Sequence, residues 1–275
     1  MAIGDRIRDF ATNSVVSLPV SFSESLTRRF PRATLWSLFH LYGKEPVIAP
    51  AGPRDCRFRM WLDAQMYTDY ITGLYEKSCT QVLREHLRQA SLVLDIGANL
   101  GYFSIFMAKH AGGNCQILAF EPMPDTFGLL ERNIKLNNLT NVNAIKAAVS
   151  DKSGDVELLS DARQRLSKTA SIVGYRLEGE AKKTTAQAIR IDQYFEGAEQ
   201  LPDLIKVDVE GGELAVLNGA RAAIRRGRPT LVIEIHGWGS EDSQKVLDLL
   251  ADVGYSANIL EIRTPEALCL AKPIL

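Results

Sequence analysis

The stretch Leu92–Ser104 reads LVLDIGANLGYFS and carries the strongest structural signal in the chain. An apolar run ends in Asp95, a glycine-bearing turn follows, and apolar residues then recur at helical spacing. A strand, a tight turn and a helix in this order bind a nucleotide-like ligand at the carboxyl edge of a parallel sheet. Asp95 and the turn therefore supply the first candidate ligand contacts, together with Gly97, Ala98, Asn99, Gly101, Tyr102 and Phe103.

The turn also indicates which ligand the site prefers. A dinucleotide-binding turn has a glycine at its middle position, where the backbone approaches the diphosphate, but this chain has Asn99 there. The carboxylate of Asp95 would repel a diphosphate and attract a cation. S-adenosylmethionine carries a sulfonium and an amino group and no phosphate, so it fits this pattern better than NAD. The turn by itself leaves both cofactors open.

A second acid follows the next predicted strand, QILAF at residues 116–120. The carboxylate of Glu121 can accept hydrogen bonds from both hydroxyls of a ribose, with Pro122 beside it. NAD enzymes place an acid at a similar offset, roughly 20 residues after the turn, so Glu121 does not separate the two cofactors. The alternative is a surface acid near a helix start, where Pro124 and the helix dipole favour it. Ribose binding is the favoured interpretation.

Five motifs in this order resemble those of the FkbM family of methyltransferases: DIGANLGYFS, AFEPMP, NIKLNN, AAVSDKSGDVEL and LIKVDVEGGELAVLNGA. The resemblance covers about residues 60–270. It implies a class I, Rossmann-like α/β fold with a doubly wound, mostly parallel seven-stranded sheet. It also implies an S-adenosylmethionine-dependent O-methyltransferase, which transfers a methyl group to a hydroxyl of a sugar, a glycan or a natural product.

The resemblance implies further cofactor contacts. Glu76 matches a tyrosine–glutamate pair of the family and is expected near the methionine end of the cofactor. Ala148 and Val149 end the predicted third strand, VNAIKAAV at residues 142–149, and are expected to face the adenine. Asp208 is expected to face either the methionine amino group or the acceptor hydroxyl.

Four polar residues near the ends of the predicted fourth and fifth strands are the candidate catalytic groups. Asp208 and Glu210 belong to the end of the strand that begins at Leu204, and Glu234 and His236 end the next strand. We expect these strands to be neighbours, which brings the side chains to one cleft. His236 is predicted to be the general base, because the ordinary histidine pKa of about 6.5 suits proton removal near neutrality. Glu234 would orient His236 or help to hold a metal.

Two questions about ligands follow from these residues. Carboxylates together with one imidazole could also bind Mg²⁺ or Mn²⁺, so the sequence leaves metal dependence open. The fourth strand ends in DVEG and not in an NPPY-type sequence, which argues against N-methylation of nucleic acid. We therefore expect a small-molecule or glycan acceptor and no nucleic-acid partner.

Composition is that of an ordinary globular enzyme. The chain has 275 residues, of which 46% are hydrophobic and 24% charged, and a formal net charge of −1. Its four cysteines lie far apart and form no C-x-x-C pair, which argues against a zinc site and a disulfide framework. The absence of a signal-peptide pattern and of a long apolar stretch completes the prediction of a cytoplasmic protein.

The sequence predicts two regions. Residues 1–57 are expected to form a helical extension that ends in the Pro-rich linker EPVIAPAGP, and residues 58–275 the methyltransferase domain. The first sixty residues have nine basic and five acidic side chains with apolar residues between them. This segment is expected to pack on the catalytic domain, with peripheral membrane contact as the alternative.

Two further points remain open in the sequence. The polar excursion at residues 160–190 is either a simple hairpin and loop or a part of the acceptor site. The competing functions are a nicotinamide-dependent oxidoreductase and a non-catalytic scaffold subunit that binds the cofactor. The acceptor and the oligomeric state are not determined by these patterns.

Overall fold

The computed structural model describes residues 47–62, 68–161 and 180–274. Its strands are β1 (Val47–Ala51), β2 (Phe58–Leu62), β3 (Leu92–Ile96), β4 (Gln116–Phe120), β5 (Val142–Ile145), β6 (Ala148–Val149), β7 (Gly154–Asp161), β8 (Ala181–Ile189), β9 (Leu204–Val207), β10 (Thr230–His236), β11 (Tyr255–Arg263) and β12 (Glu266–Pro273). Its helices are α1 (Thr68–Thr72), α2 (Lys77–His86), α3 (Tyr102–Ala111), α4 (Pro124–Leu136), α5 (Ile191–Tyr194), α6 (Glu213–Gly219), α7 (Arg221–Gly227) and α8 (Glu241–Asp252).

The central sheet has seven strands in the order β11-β12-β10-β9-β3-β4-β5. The strands from β10 to β5 are parallel, whereas β12 is antiparallel to both of its neighbours, β10 and β11. The chain runs outward from β3 to β5 and then returns to β9 on the other side of β3. Such a reversal leaves a crevice at the carboxyl ends of the strands, where open α/β sheets bind ligands. The predicted doubly wound, mostly parallel fold is confirmed.

Apolar residues cover both faces of the sheet. The β3 strand is buried along its whole length, because helices pack on both of its sides. Val93 contributes to the core beneath α2 and α3, while Leu94 and Ile96 contribute to the core beneath α6, α7 and α8. This double burial fixes the position of the β3 carboxyl end, from which the glycine turn begins.

Two segments differ from the sequence predictions. The predicted third strand over 142–149 divides into β5 in the main sheet and β6, which joins a small sheet in the order β6-β8-β7. The β7 and β8 strands pair in antiparallel register, so the described parts of the polar excursion comprise the end of β7 and the whole of β8. Residues 162–179 lie outside the described residues, and the choice between a simple hairpin and a part of the acceptor site stays open there.

The predicted Pro-rich linker is also a strand. Its residues Val47–Ala51 form β1 and pair with β2 in antiparallel register, so the predicted boundary after residue 57 falls inside a hairpin. Pro50 is tolerated because β1 lies at the edge of a two-stranded sheet. The predicted helical extension before residue 47 and its membrane contact lie outside the described residues. Within the described ranges, no helix has the length and apolar character that a bilayer crossing requires.

One buried amide connects this hairpin to the glycine turn. The Asn133 side chain on α4 accepts a hydrogen bond from the backbone N–H of Trp61 at 2.6 Å and donates to the carbonyl of Trp61 at 3.0 Å. The same side-chain nitrogen donates to the carbonyl of Leu100 at 2.8 Å. Asn133 thus replaces a missing strand partner for β2 and fixes the end of the turn.

We predict that Asn133→Ala lowers the free energy of unfolding by about 3 kcal/mol, because it leaves buried backbone groups without partners. Asn137→Ala is the matched control, since Asn137 bonds the backbone of Arg59 in the same way at an exposed position. Its expected cost is about 1 kcal/mol. Urea unfolding of both variants measures the difference, and equal losses would contradict the role of Asn133.

Candidate active site

The glycine turn between β3 and α3 lies against the ends of both neighbouring strands. The backbone N–H groups of Gly97 and Ala98 donate to the carbonyl of Phe120, at 3.0 and 2.9 Å. Gly97 has a φ of +82°, and a Cβ at this position would overlap the carbonyl oxygen of Asp208. Only glycine therefore fits between β3 and β9. Asn99 is also left-handed, with a φ of 51°, and its side chain accepts a hydrogen bond from the N–H of Leu100.

Glu121 closes the far side of this turn. One carboxylate oxygen accepts the N–H of Asn99 at 3.0 Å, and the other accepts the N–H of Met123 at 2.9 Å. Burial raises the pKa of Glu121 to about 7. Each oxygen keeps a second lone pair, so the carboxylate can still accept a pair of ribose hydroxyls. Pro122 follows and is half-buried, and its predicted contact with the cofactor stays a prediction.

The structure places Asp95 beside an internal cation. Its side chain is fully buried, and one oxygen accepts a hydrogen bond from Ser104 Oγ at 2.6 Å. The other oxygen lies 3.5 Å from Nζ of the internal lysine Lys206, and the predicted contact of Asp95 with the cofactor stays a prediction. Lys206 was missed in the sequence, although a lone lysine inside the apolar run LIKV of β9 was the available signal.

The two aromatic residues that follow the turn have different surroundings. The ring of Tyr102 is 2% exposed and packs against Phe58, Tyr70 and Tyr75 in the core. Its predicted contact with the cofactor stays a prediction. Phe103 lies closer to the charged groups, with Lys206 Nζ 5.0 Å from its ring centroid.

The predicted adenine contacts lie outside the main sheet. Ala148 and Val149 form β6 and are buried, and Val149 packs in the same core as Phe120 at the end of β4. Their predicted contact with adenine stays a prediction.

The candidate catalytic residues meet as expected. His236 Nδ1–H donates to Glu213 at 2.8 Å, and its Nε2 lies 3.4 Å from Glu210 and 4.0 Å from Asp208. Glu213 also accepts the N–H of Gly211, which fixes the carboxylate in place. Glu213 was not predicted as a site residue, although it is visible as the third acid of the motif DVEGGE.

The neighbours of His236 bear on its predicted role as the general base. Burial disfavours the charged ring, but the hydrogen bond and charge of Glu213, together with Asp208 and Glu210, outweigh burial and raise the pKa of His236 to about 10. A raised pKa favours the protonated imidazole, which suits an electrostatic role better than that of a base, and the predicted role stays a prediction. The prediction of a histidine base assumed an ordinary pKa, and the neighbouring carboxylates remove that condition.

Three carboxylates form a second group on the other side of Asp208. Oxygen atoms of Glu76, Asp208 and Glu234 lie within 4.8 Å of one another. Burial, followed by the charge of Asp208, raises the pKa of Glu76 to about 6 and that of Glu234 to about 9. Glu76 sits in a left-handed conformation with a φ of 36°, and its Oε2 is buried without a hydrogen-bond partner. An Arg263 nitrogen lies 3.9 Å from Glu234.

The side chains of Asp208, Glu210 and His236 also offer atoms that suit a divalent cation. Ligand atoms of Asp208, Glu210 and His236 lie within 4.8 Å of one another, and oxygen with imidazole is a donor set that Mg²⁺ or Mn²⁺ accepts. Glu213 holds the Nδ1–H of His236 as an outer carboxylate holds a metal-binding histidine. Lys206 already neutralises part of the charge of Asp208, at 3.3 Å. Metal dependence stays a prediction.

The strand order, the glycine turn and the acid after the second parallel strand of the sheet are those of a class I methyltransferase. The family model described as the Methyltransferase FkbM domain matches residues 95–257, which is more than half of the chain. The chain belongs to the FkbM methyltransferase family, and this membership decides against the nicotinamide oxidoreductase.

Curated relatives have modest identity to this chain. The hexuronic acid methyltransferase AglP of Haloferax volcanii is 28% identical over 83% of the chain and 90% of its own length. Methyltransferase sdnD of Sordaria araneosa is 32% identical over 46% of the chain, and the match spans 59% of that relative. The FkbM methyltransferase of Streptomyces tacrolimicus, named for 31-O-demethyl-FK506, is 28% identical over 54% of the chain and 67% of its own length.

Among solved structures, the FkbM methyltransferase of Methylobacillus flagellatus KT aligns with a TM-score of 0.46 and 19% identity. The alignment covers 66% of this chain and 43% of the solved chain.

We predict that the His236 ring titrates near pH 10 in the folded protein, which NMR of the imidazole resonances in a chelator-containing buffer can measure. Because this pKa lies above the unfolded value of 6.5, the stabilisation is complete below pH 6.5 and is lost as the pH rises through 10. Glu213→Gln should lower the midpoint, because it removes the charge that holds the proton. A midpoint near 6.5 in the unaltered chain would contradict the assignment.

Proposed function

We propose that the chain is an S-adenosylmethionine-dependent O-methyltransferase that acts on a hydroxyl of a sugar, a glycan or a natural product. The observation that carries the proposal is the meeting of Asp208, Glu210 and His236 next to the glycine turn, at the carboxyl ends of adjacent strands. Family membership supports methyl transfer. A relative named for hexuronic acid, aligned along 83% of this chain, supports a sugar acceptor.

The cofactor side of the site fits S-adenosylmethionine. Glu121 offers two buried carboxylate oxygens for the ribose hydroxyls, and Asn99 occupies the position where a diphosphate would need glycine. The unpartnered Oε2 of Glu76 suits the ammonium of the methionine end. When bound, this cofactor supplies a methyl group on a sulfonium, which is open to attack by an oxygen nucleophile.

The acceptor side provides a base and an orienting group. Glu210 is the residue that we assign as the proton acceptor, because burial raises its pKa to about 7 while its side chain stays 21% exposed to the cleft. Asp208 accepts a hydrogen bond from a second hydroxyl of the acceptor, and this bond directs the reacting oxygen toward the methyl group. Protonated His236 keeps both carboxylates in place through its charge.

The direct test is a mass-spectrometric assay with S-adenosylmethionine and a panel of acceptors. The panel contains free and glycosidic uronic acids, neutral methyl glycosides and polyketide alcohols. A mass increase of one methyl group, together with S-adenosylhomocysteine release, supports the proposal. Cofactor binding without turnover on any acceptor would favour the scaffold function, and the absence of cofactor binding would contradict both.

Glu121→Gln should weaken S-adenosylhomocysteine binding by about 1.5–3 kcal/mol, because an amide gives up one charge-assisted acceptor for the ribose. Isothermal titration calorimetry measures the change. Glu131→Gln on the exposed side of α4 is the control and should leave the dissociation constant unaltered. An unaltered dissociation constant in Glu121→Gln would mean that the ribose binds elsewhere.

Glu210→Gln should lower kcat by about 10²–10⁴-fold, the usual contribution of a general base. It should also remove the fall in turnover that the unaltered chain shows below about pH 7, where Glu210 becomes protonated. Glu234→Gln is the matched comparison, since the pKa of Glu234 near 9 makes that carboxyl already neutral at pH 7. Equal losses in the two variants, measured with one acceptor, would rule out Glu210 as the base.

A further inference from the structure

Lys206 is a buried cation at the centre of the main sheet. It lies on β9 directly opposite Asp95 of β3, and its side chain is 3% exposed. Its Nζ lies 3.5 Å from Asp95, 3.3 Å from Asp208 and 5.0 Å from the ring centroid of Phe103. Lys206 therefore contacts both a fully buried residue of the sheet, Asp95, and a residue of the catalytic cleft, Asp208.

We infer that Lys206 is a positioning residue for methyl transfer: it holds the Asp208 carboxylate on the acceptor side of the cleft, and Asp95 is the counterion of Lys206. This inference rests on the proposed function, because it assigns Asp208 to the acceptor. It goes beyond that function by assigning a positioning role to Lys206, which we place in contact with neither the cofactor nor the acceptor.

The two carboxylates bind Lys206 in different ways. Lys206 Nζ donates a hydrogen bond to Asp208 Oδ2, whereas the nearer oxygen of Asp95 has charge contact and no hydrogen bond. The second oxygen of Asp95 accepts from Ser104 Oγ. The directional bond therefore goes to Asp208, and Asp95 balances the charge of a cation that could not be buried alone.

The backbone of Asp208 is held in place without Lys206. Its N–H donates to the carbonyl of Ile96 at 3.0 Å, so the strand end is already anchored to β3. What remains free is the direction of the carboxylate, which has Glu76 and Glu234 on one side. The bond from Lys206 fixes Oδ2 of Asp208, while Oδ1 faces His236 at 4.0 Å. A small displacement at this point would misalign the acceptor.

The test uses Lys206→Met and the double variant Asp95→Asn/Lys206→Met in the full chain. The single variant leaves the carboxylate of Asp95 buried without a cation and is expected to be less stable. The double variant removes both charges, so it should unfold at nearly the urea concentration of the unaltered chain. It is the variant on which the inference is decided, because it separates folding from positioning.

In the double variant we expect kcat to fall by about 100-fold with whichever acceptor the panel identifies, while S-adenosylhomocysteine affinity is retained. Lys183→Met is the matched control, since Lys183 on β8 forms an exposed ion pair with Glu157 at 2.8 Å. Its turnover should equal that of the unaltered chain. Recovery of kcat in the double variant would overturn the inference, because Lys206 would then serve only to neutralise Asp95.

A loss of S-adenosylhomocysteine affinity as large as the loss of kcat would also overturn it, because Asp208 would then belong to the cofactor. Crystal structures give a readout that needs no acceptor. We expect the Asp208 carboxylate of the double variant to leave the orientation that it has in the unaltered chain, and an unmoved carboxylate would refute the positioning role. If the unaltered chain methylates nothing, the proposed function fails, and the crystal structures still decide on Lys206.

Discussion

The ion pairs of Lys206 with Asp95 and Asp208 are the interaction on which the active site depends. Lys206 Nζ lies 3.5 Å from Asp95 and 3.3 Å from Asp208, at the junction of β3 and β9. The strand order reverses at this junction, which opens the crevice. A charge buried here without a partner would cost several kcal/mol, so Lys206 and Asp95 must be present together or replaced together. Phe103 adds the face of an aromatic ring to the same cation. The geometry of the crevice follows from this arrangement.

Charges of alternating sign continue from this junction into β10. Asp208 lies between two cations, Lys206 and protonated His236, and His236 lies between Asp208 and Glu213. The alternation explains how one cleft can contain so many acids. Where burial and acidic neighbours outweigh the nearby cations, as with Glu234 beside Asp208 and Glu76, the pKa of the carboxyl rises, here to about 9. The same surroundings thus give neighbouring carboxyls different protonation states, which acid–base chemistry requires.

Much of this protein was predictable from sequence because its signals are local. The order of strands and helices from Leu92 onward follows from hydrophobic periodicity, and Glu121 follows from its position after a buried strand. The errors have local causes too. A run of eight residues at 142–149 looked like one strand, but its second half pairs with β8. The segment Val47–Ala51 looked like a linker because of its prolines, yet an edge strand tolerates them.

The sequence by itself determined the class of fold, the acids at the strand ends and the glycine turn, since these depend on residue type and short spacing. Only the tertiary structure decided the protonation of His236 and the partner of Asp95. Glu213 and Lys206 act on them from other strands and helices, through distances that spacing along the chain does not encode. Electrostatic interactions depend on separation in space and on burial, and both exist only after the chain has folded.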